Sequence, residues 1–188
     1  VPRLQRIVRQ TCQPLHKQAK MKVNGAEMEL DRSILDRITA PLEHLLRNAV
    51  SHGIEEPEQR RDLDKPAVGQ ISIDLTREGN DVVLTMSDDG MGLDFTAIKE
   101  RAEKSGLLAD GADASEGDLT QFILEHGFST ADAVNQISGR GVGLDVVVSE
   151  IKQLGGTLDI ESKPGAGTEF TIYLPLTLAI TDALLLQA

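Results

Sequence analysis

His44, Asn48 and His52 are spaced by four residues, inside a stretch whose apolar positions Ile34, Ile38, Leu42, Leu45, Leu46 and Ala49 recur at helical intervals. On a helix that spacing puts the three polar groups on one face, offset from the apolar stripe. An asparagine carbonyl is a hard oxygen that suits Mg²⁺, an ion that takes few protein ligands and leans on phosphate and water oxygens. Imidazoles hydrogen-bond phosphate oxygens or a group in transfer. A solvated polar face ending at Gly53 explains the same spacing without any chemistry.

Three glycine-bearing segments stand in fixed order after this face. Asp88-Asp89-Gly90-Met91-Gly92 follows a predicted strand. A carboxylate there can accept a hydrogen bond from an exocyclic amine such as that of adenine, and Gly90 and Gly92 let backbone approach a flat ring. A tight turn with a helix cap is the plainer alternative. Gly139-Arg140-Gly141-Val142-Gly143 leads into a predicted helix, where free N–H groups can receive phosphate. It lacks the dinucleotide-fingerprint spacing and has no Gly-Lys-Ser/Thr of a Walker loop, so a flexible linker is the alternative. Gly165-Ala166-Gly167-Thr168 reads as an ordinary hairpin turn, although the Thr168 hydroxyl can contact a base.

These groups need elements to hold them. Residues 3–12 predict a helix stopped by Pro14, and 18–30 predict a hairpin around Asn24-Gly25. A helix over roughly 32–52, capped by Asp31 or Ser33, carries the His/Asn face. Pro41 inside it predicts a kink or loose turn. Glu55 to Pro66 reads as a charged loop. Strands at about 69–77 and 81–88 meet at Glu78-Gly79-Asn80. A helix at 94–105 with Asp94 as cap, a loop at 106–118, a short helix at 119–126 and a second loop at 127–142 follow. The last helix, 142–154, stops at Gly155-Gly156, and strands at 157–162 and 168–174 close the domain. The order predicts an α+β fold: a two-layer α/β sandwich with a mixed, mostly antiparallel sheet covered on one face by helices.

Composition narrows the classes. With 188 residues, one domain can bury a core without staples. Its 40% hydrophobic and 26% charged residues exclude disorder over the whole chain. Lys plus Arg is 19 against 30 for Asp plus Glu, and the net −11 repels nucleic acid and acidic membranes. Aromatics at 3%, with no Trp, leave no base-stacking platform, so no nucleic-acid partner is expected. Cys12 stands alone, which excludes an internal disulfide framework and a Cys-rich zinc site. No run approaches the ~18 apolar residues of a membrane span, so no membrane insertion is expected. The chain starts at Val1 with no signal-peptide pattern. It reads as a piece of a larger, cytoplasmic protein.

Taken together, the four segments resemble the GHKL (Bergerat) ATP-binding fold shared by histidine kinases, type II topoisomerases and mismatch-repair ATPases. His44-Leu-Leu-Arg47-Asn48-Ala-Val-Ser51-His52-Gly53 is similar to its N box. Asp88-x-Gly90-x-Gly92, Gly139-x-Gly141-x-Gly143 and Gly165-x-Gly167-Thr168 are similar to its three glycine boxes, and Phe122 to Thr130 to its F box. The wording of these motifs, with Leu-Pro-Leu-Thr-Leu-Ala-Ile at 174–180, resembles the CheA family of bacterial chemotaxis histidine kinases over roughly residues 15–188.

The resemblance implies ATP and Mg²⁺ as cofactors. It makes Asn48 the metal ligand, His44 the residue nearest the γ-phosphate with His52 as a second catalytic histidine, and Asp88 the acceptor of the adenine amine. Gly90, Gly92 and Thr168 complete the base pocket, while Gly139, Gly141 and Gly143 approach the phosphates under a lid at about 106–142. Ser51 departs from the family, which usually has Asp there, and lowered metal affinity or turnover is the expected consequence. ATP-hydrolysing relatives carry Glu where this chain has His44, so transfer is expected over hydrolysis. The implied acceptor is a His on a separate phosphotransfer domain, relaying to a response regulator, with a CheW-like coupling protein, chemoreceptors and a homodimer in the full-length kinase. Implied boundaries are 1–14 for the end of a dimerisation region, 15–175 for the catalytic domain and 176–188 for the start of a CheW-like domain. A weakened nucleotide-binding module and an ATP hydrolase of the same fold are the alternatives.

Overall fold

The computed structural model describes residues 2–27, 32–125, 128 and 144–176, with Ser33 described in its backbone alone. In chain order the elements are α1 (Pro2–Cys12), β1 (Ala19–Asn24), α2 (Arg32–Asn48), α3 (Pro57–Asp62), β2 (Gly69–Glu78) and β3 (Asp81–Asp88). Then come α4 (Phe95–Lys104), α5 (Glu116–Leu124), α6 (Leu144–Gln153), β4 (Thr157–Lys163) and β5 (Gly167–Pro175). The expected α+β sandwich is present. The described strands form one sheet in the order β1-β2-β3-β5-β4, parallel between β1 and β2 and antiparallel elsewhere.

Register follows from alternation. Ile73, Met86, Phe170 and Ile160 stand in one row across four strands, and Leu75, Leu84, Ile172 and Leu158 in another. A slip of one residue in any strand would turn its apolar set away from the helices. Against this face pack Val8 and Cys12 of α1, Ile34, Ile38, Leu42, Leu45 and Leu46 of α2, and Val147 and Ile151 of α6. A smaller core joins Ile98 and Ala102 of α4 to Leu119 and Ile123 of α5 and to Phe128. Leu144 packs against both cores.

Local signals set the ends. The Asp94 carboxylate accepts from the Ala97 N–H at 3.0 Å and starts α4. Ser115 and Asp118 form a capping box that starts α5. Gly155, at φ 73°, ends α6, and the Gly156 N–H donates to Ile151 O at 3.0 Å.

Two expectations need correction, and a third is extended. The first arm of the expected 18–30 hairpin is a strand whose described partner is β2, in parallel register, with Met21 beside Ile71 and Val23 beside Ile73. That pairing puts β1's apolar residues against the main core, which a two-stranded ribbon by itself would not do. The expected second arm falls partly outside the described residues. The expected charged loop from Glu55 to Pro66 contains α3, started by a capping box between Glu56 and Gln59 with Pro57 at its first position. Pro41 sits within a continuous α2, and the irregular turn comes later, at Ala49–Gly53, as one π-helical turn. The expected caps of α2 lie outside the described atoms.

Helix α1 is part of this fold. Val8 and Cys12 are buried, Arg3 pairs with Glu43 of α2, and burial raises the Cys12 thiol above its ordinary value. Replacing Val8 by Ala is expected to lower stability by about 1–3 kcal/mol in urea unfolding. A helix frayed from the domain would leave the midpoint unchanged.

Candidate functional site

Helix α2 carries His44 and Asn48, both half-buried. Burial lowers the His44 pKa below its ordinary value, Arg47 pushes the same way, and Asp145 at the start of α6 opposes them. The imidazole is therefore neutral near pH 7 and can both donate and accept. Beyond Asn48 the helix widens into the π turn, closed by the Ile54 N–H on Ala49 O at 2.7 Å. Such turns leave carbonyls without helical partners. Lys17 reaches in from the α1–β1 connection and donates to Val50 O at 3.0 Å and Ser51 O at 2.7 Å. His52, on this turn, is exposed.

Asp88 ends β3 and is 8% exposed. The Gly90 N–H donates to its Oδ1 at 2.9 Å, and the Thr168 backbone N–H donates to the same carboxylate. Burial pushes its pKa up to about 6, the two N–H groups pull it down, and the neighbouring Asp89 and Glu55 charges raise it further. Asp88 is thus a desolvated acceptor with no cation bonded to it among the described residues.

The glycines around Asp88 answer to the protein's own backbone. A Cβ on Gly90 would stand 2.2 Å from Gly53 O, and one on Gly167 (φ 107°) 1.9 Å from Asp88 O. On Gly92 (φ 76°) it would stand 2.6 Å from Lys163 O. The Met91 N–H donates to Gly53 O at 2.9 Å, and the Gly165 N–H donates to Met91 O at 2.8 Å. The expected approach of Gly90 and Gly92 to a flat ring is therefore not needed to explain these glycines. They let the end of the π turn, the Asp88–Gly92 loop and the β4–β5 turn close on one another.

A buried ionic cluster holds this loop from behind. Arg60 of α3 is 0% exposed. It donates to Glu55 Oε2 and Asp89 Oδ2 at 2.8 Å each, and to Pro66 O at 2.6 Å. Lys65 donates to Glu55 Oε1 at 2.6 Å and Gly90 O at 2.8 Å. Burial works against the Glu55 carboxylate, but its bonds to Lys65 and Arg60 prevail and hold its pKa below the ordinary value. The Asp89 carboxylate also takes the Gln70 N–H at 2.8 Å. The Gly90 peptide is gripped on both sides, with its N–H on Asp88 and its C=O on Lys65.

The structure thus brings Asp88, Gly90, Gly92 and Thr168 into one corner and ties it through Gly53 to the helix carrying His44 and Asn48. Gly139, Gly141, Gly143 and the second part of the expected lid lie outside the described residues, while its first part, to Glu125, carries α5. Arg60, Lys65 and Glu55 were not among the expected site residues. The signal that could have found them is the Glu56-Pro57-x-Gln59 helix start, which turns a charged loop into a helix with an inner face.

Residues 38–178 match the family described as Histidine kinase-, DNA gyrase B-, and HSP90-like ATPase. The chain belongs to this family. Chemotaxis protein CheA of Treponema pallidum is 42% identical over 185 residues, covering 98% of this chain and 23% of that protein. The sensor histidine kinase CheAY of Helicobacter pylori is 43% identical over 182 residues, covering 96% and 23%. CheA of Bacillus subtilis is 41% identical over 187 residues, covering 98% and 28%. The chain therefore spans about a quarter of these relatives. Among solved structures, the histidine kinase domain from the Erythrobacter litoralis EL346 blue-light activated histidine kinase shares the fold, with a TM-score of 0.51 at 16% identity, covering 92% of this chain and 63% of that one. No helix among the described residues is long and apolar enough to cross a membrane.

Two stability predictions follow from the corner. The folded-state pKa of Asp88 lies above its unfolded value of 3.8, so its contribution is fully present below that pH and is lost as pH rises through about 6. At pH 7 the buried charge costs up to about 3 kcal/mol. Comparing Tm of Asp88→Asn and the parent from pH 4 to 7 should show the difference shift in favour of Asn as pH rises, with His44 and other groups cancelling. A flat difference would contradict the buried carboxylate with its raised pKa. Arg60→Ala strands Glu55 and part of Asp89 and is expected to cost about 3–5 kcal/mol in denaturant unfolding, whereas an exposed arginine would cost under about 1.

Proposed function

We propose that this chain is the ATP-binding catalytic domain of a chemotaxis sensor histidine kinase. It transfers the γ-phosphoryl group of ATP to a His on a separate phosphotransfer domain, for relay to a response regulator. The observation that carries this reading is the buried Asp88 acceptor, joined through Gly53 to the helix bearing His44 and Asn48, in a segment about 40% identical to CheA.

Each role follows from chemistry on hand. Asp88, in its slot between Gly90 and Thr168, accepts from the adenine amine, and Gly90, Gly92 and Thr168 shape the base corner. Asn48 offers an amide oxygen to Mg²⁺. Among the described residues no cluster of three or more His, Cys, Asp or Glu could hold a metal. An ion that takes most of its ligands from phosphate and water suits Asn48 better than one needing a protein cage. The ion would neutralise charge on the transferring phosphoryl group. His44, kept neutral, hydrogen-bonds that group and adds no repulsion to the positive charge that develops on the attacking imidazole ring; His52 stands by as the second histidine. Gly139, Gly141 and Gly143 supply N–H donors before α6. Positioning and charge neutralisation carry the rate.

Hydrolysis is disfavoured for a reason the structure supports. Glu43, the acidic residue nearest the position where water-activating relatives carry Glu, pairs with Arg3 and lies 4.0 Å from Arg47. A carboxylate turned to Arg3 is engaged away from a water that it would have to orient for attack. We further infer a cytoplasmic homodimeric parent protein, with residues 1–14 closing a dimerisation region, 15–175 forming the catalytic domain and 176–188 opening a CheW-like domain that meets a coupling protein and chemoreceptors.

Ser51 favours a second reading, a nucleotide-binding module with weakened turnover, because a hydroxyl replaces the negative charge usual beside the metal. Incubating the chain with γ-labelled ATP, Mg²⁺ and an isolated phosphotransfer domain from a chemotaxis kinase decides. Label should move to the added domain and not stay on the chain, and Asn48→Asp should lower transfer at least about a hundredfold. Stable phosphohistidine on the chain itself, or transfer indifferent to Asn48, would sink the kinase assignment. Mg²⁺-strengthened ATP binding without transfer, restored by Ser51→Asp, would establish the second reading.

A further inference from the structure

Ser162 of β4 stands directly opposite Thr168 of β5. Its hydroxyl oxygen lies 2.8 Å from the Leu93 amide nitrogen, 3.0 Å from Gly167 O and 3.0 Å from Thr168 Oγ1. A serine hydroxyl has one proton and two lone pairs. The Gly167 carbonyl can only accept, so it takes the Ser162 proton. The Leu93 N–H can only donate, so it occupies one lone pair. The remaining lone pair faces Thr168, whose hydroxyl must donate. Distance alone leaves that donor open; the proton count closes it.

The consequence falls on Thr168, which is 7% exposed and whose backbone N–H holds the Asp88 carboxylate. With its proton on Ser162, Thr168 Oγ1 turns only lone pairs to any further partner. The Asp88 carboxylate beside it likewise only accepts when ionised. Every side-chain oxygen in this corner then calls for a donor. We propose that Ser162 is a positioning residue that sets the base preference: by fixing the Thr168 hydroxyl it makes the corner an acceptor pair for a purine 6-amine and a poor seat for a 6-oxo group. An exocyclic amine carries two hydrogens, one for Asp88 and one for Thr168, directly or through a water. A 6-oxo purine brings lone pairs to lone pairs, and a buried mismatch of that kind discriminates strongly. The inference rests on reading Asp88 and Thr168 as the base corner.

The test is calorimetric affinity for ATP and for inosine triphosphate, its 6-oxo counterpart, with this chain and its variants. In Ser162→Ala the Thr168 hydroxyl is free to turn its proton outward. The ATP preference should then fall about tenfold, mainly through tighter inosine triphosphate binding. Ser162→Thr keeps the hydroxyl and should keep the preference. Thr168→Val should lower it by a similar factor, and adding Ser162→Ala to Thr168→Val should change nothing more, since the serine acts through the threonine. A preference within about twofold of the parent in Ser162→Ala, equal weakening of both nucleotides, or additive effects in the double variant would each overturn the proposal. If Ser162→Ala does not fold, the other pair decides: preference kept in Ser162→Thr and lost in Thr168→Val supports it, and any other pattern overturns it. A parent chain that binds neither nucleotide would instead bring down the ATP reading, and this inference with it.

Discussion

A buried carboxylate with no cation bonded to it among the described residues is the constraint around which this domain is arranged. Asp88 is held by two backbone N–H groups, while the nearby cations Arg60 and Lys65 bond to Glu55, Asp89 and the carbonyls of the loop. Had either cation reached Asp88, its charge would be satisfied and it would have nothing to offer a ligand. Placing the cations one residue further on fixes the loop and leaves the acceptor unfilled. The acidic neighbours even raise the energy of the charged form. Tension of this kind between stability and recognition is common at binding sites, where groups are kept that a purely structural residue would improve on.

Holding such a group in place takes contacts from several parts of the chain. The β3 end supplies Asp88, and the π turn after α2 supplies Gly53, whose carbonyl takes the Met91 N–H. The β4–β5 turn supplies Gly167 and Thr168. Where these backbones converge no side chain fits, and the close-approach distances at Gly90, Gly92 and Gly167 say why glycine is required there. The same residues that read as ligand-facing glycines in a motif are, physically, the places where the protein touches itself. Structurally, they let Asp88 sit where three segments meet.

Much of this was visible in the sequence, and the rest was hidden for identifiable reasons. Alternation at Ile71, Ile73 and Leu75 and in the closing strands gave the antiparallel part of the sheet, because half-buried strands show their period. The Asp94 cap and the Gly155-Gly156 stop were readable because capping is local chemistry. Lys20 to Val23 showed a strand too, but nothing local says that it also pairs with a strand beyond α2. Arg60 was hidden because charge reads as exposure; its burial follows only once α3 is placed against Glu55 and Asp89. The candidate residues His44, Asn48, Asp88 and Thr168 stood out as spacings and motifs. The proton direction at Ser162 did not, since it depends on three partners brought together by folding.

Helix α2 links the two halves of the candidate site, and its irregular end is what makes the link possible. A regular α-helix running through Gly53 would carry its last carbonyls along the helix axis, away from the Asp88 loop. The π turn widens the last turn and delivers Gly53 O to the Met91 N–H. The carbonyls this leaves behind, at Val50 and Ser51, are taken by Lys17, whose own pKa is lowered by burial. Lys17 belongs to the connection between α1 and β1, so the docking of α1 through Val8 and Cys12 and the shape of the α2 end are parts of one arrangement. The helix that carries His44 and Asn48 is therefore fixed at its end by the Asp88 loop on one side and by the chain's first elements on the other. A displacement of α1 would reach the site through a lysine and two carbonyls, with no long path to cross.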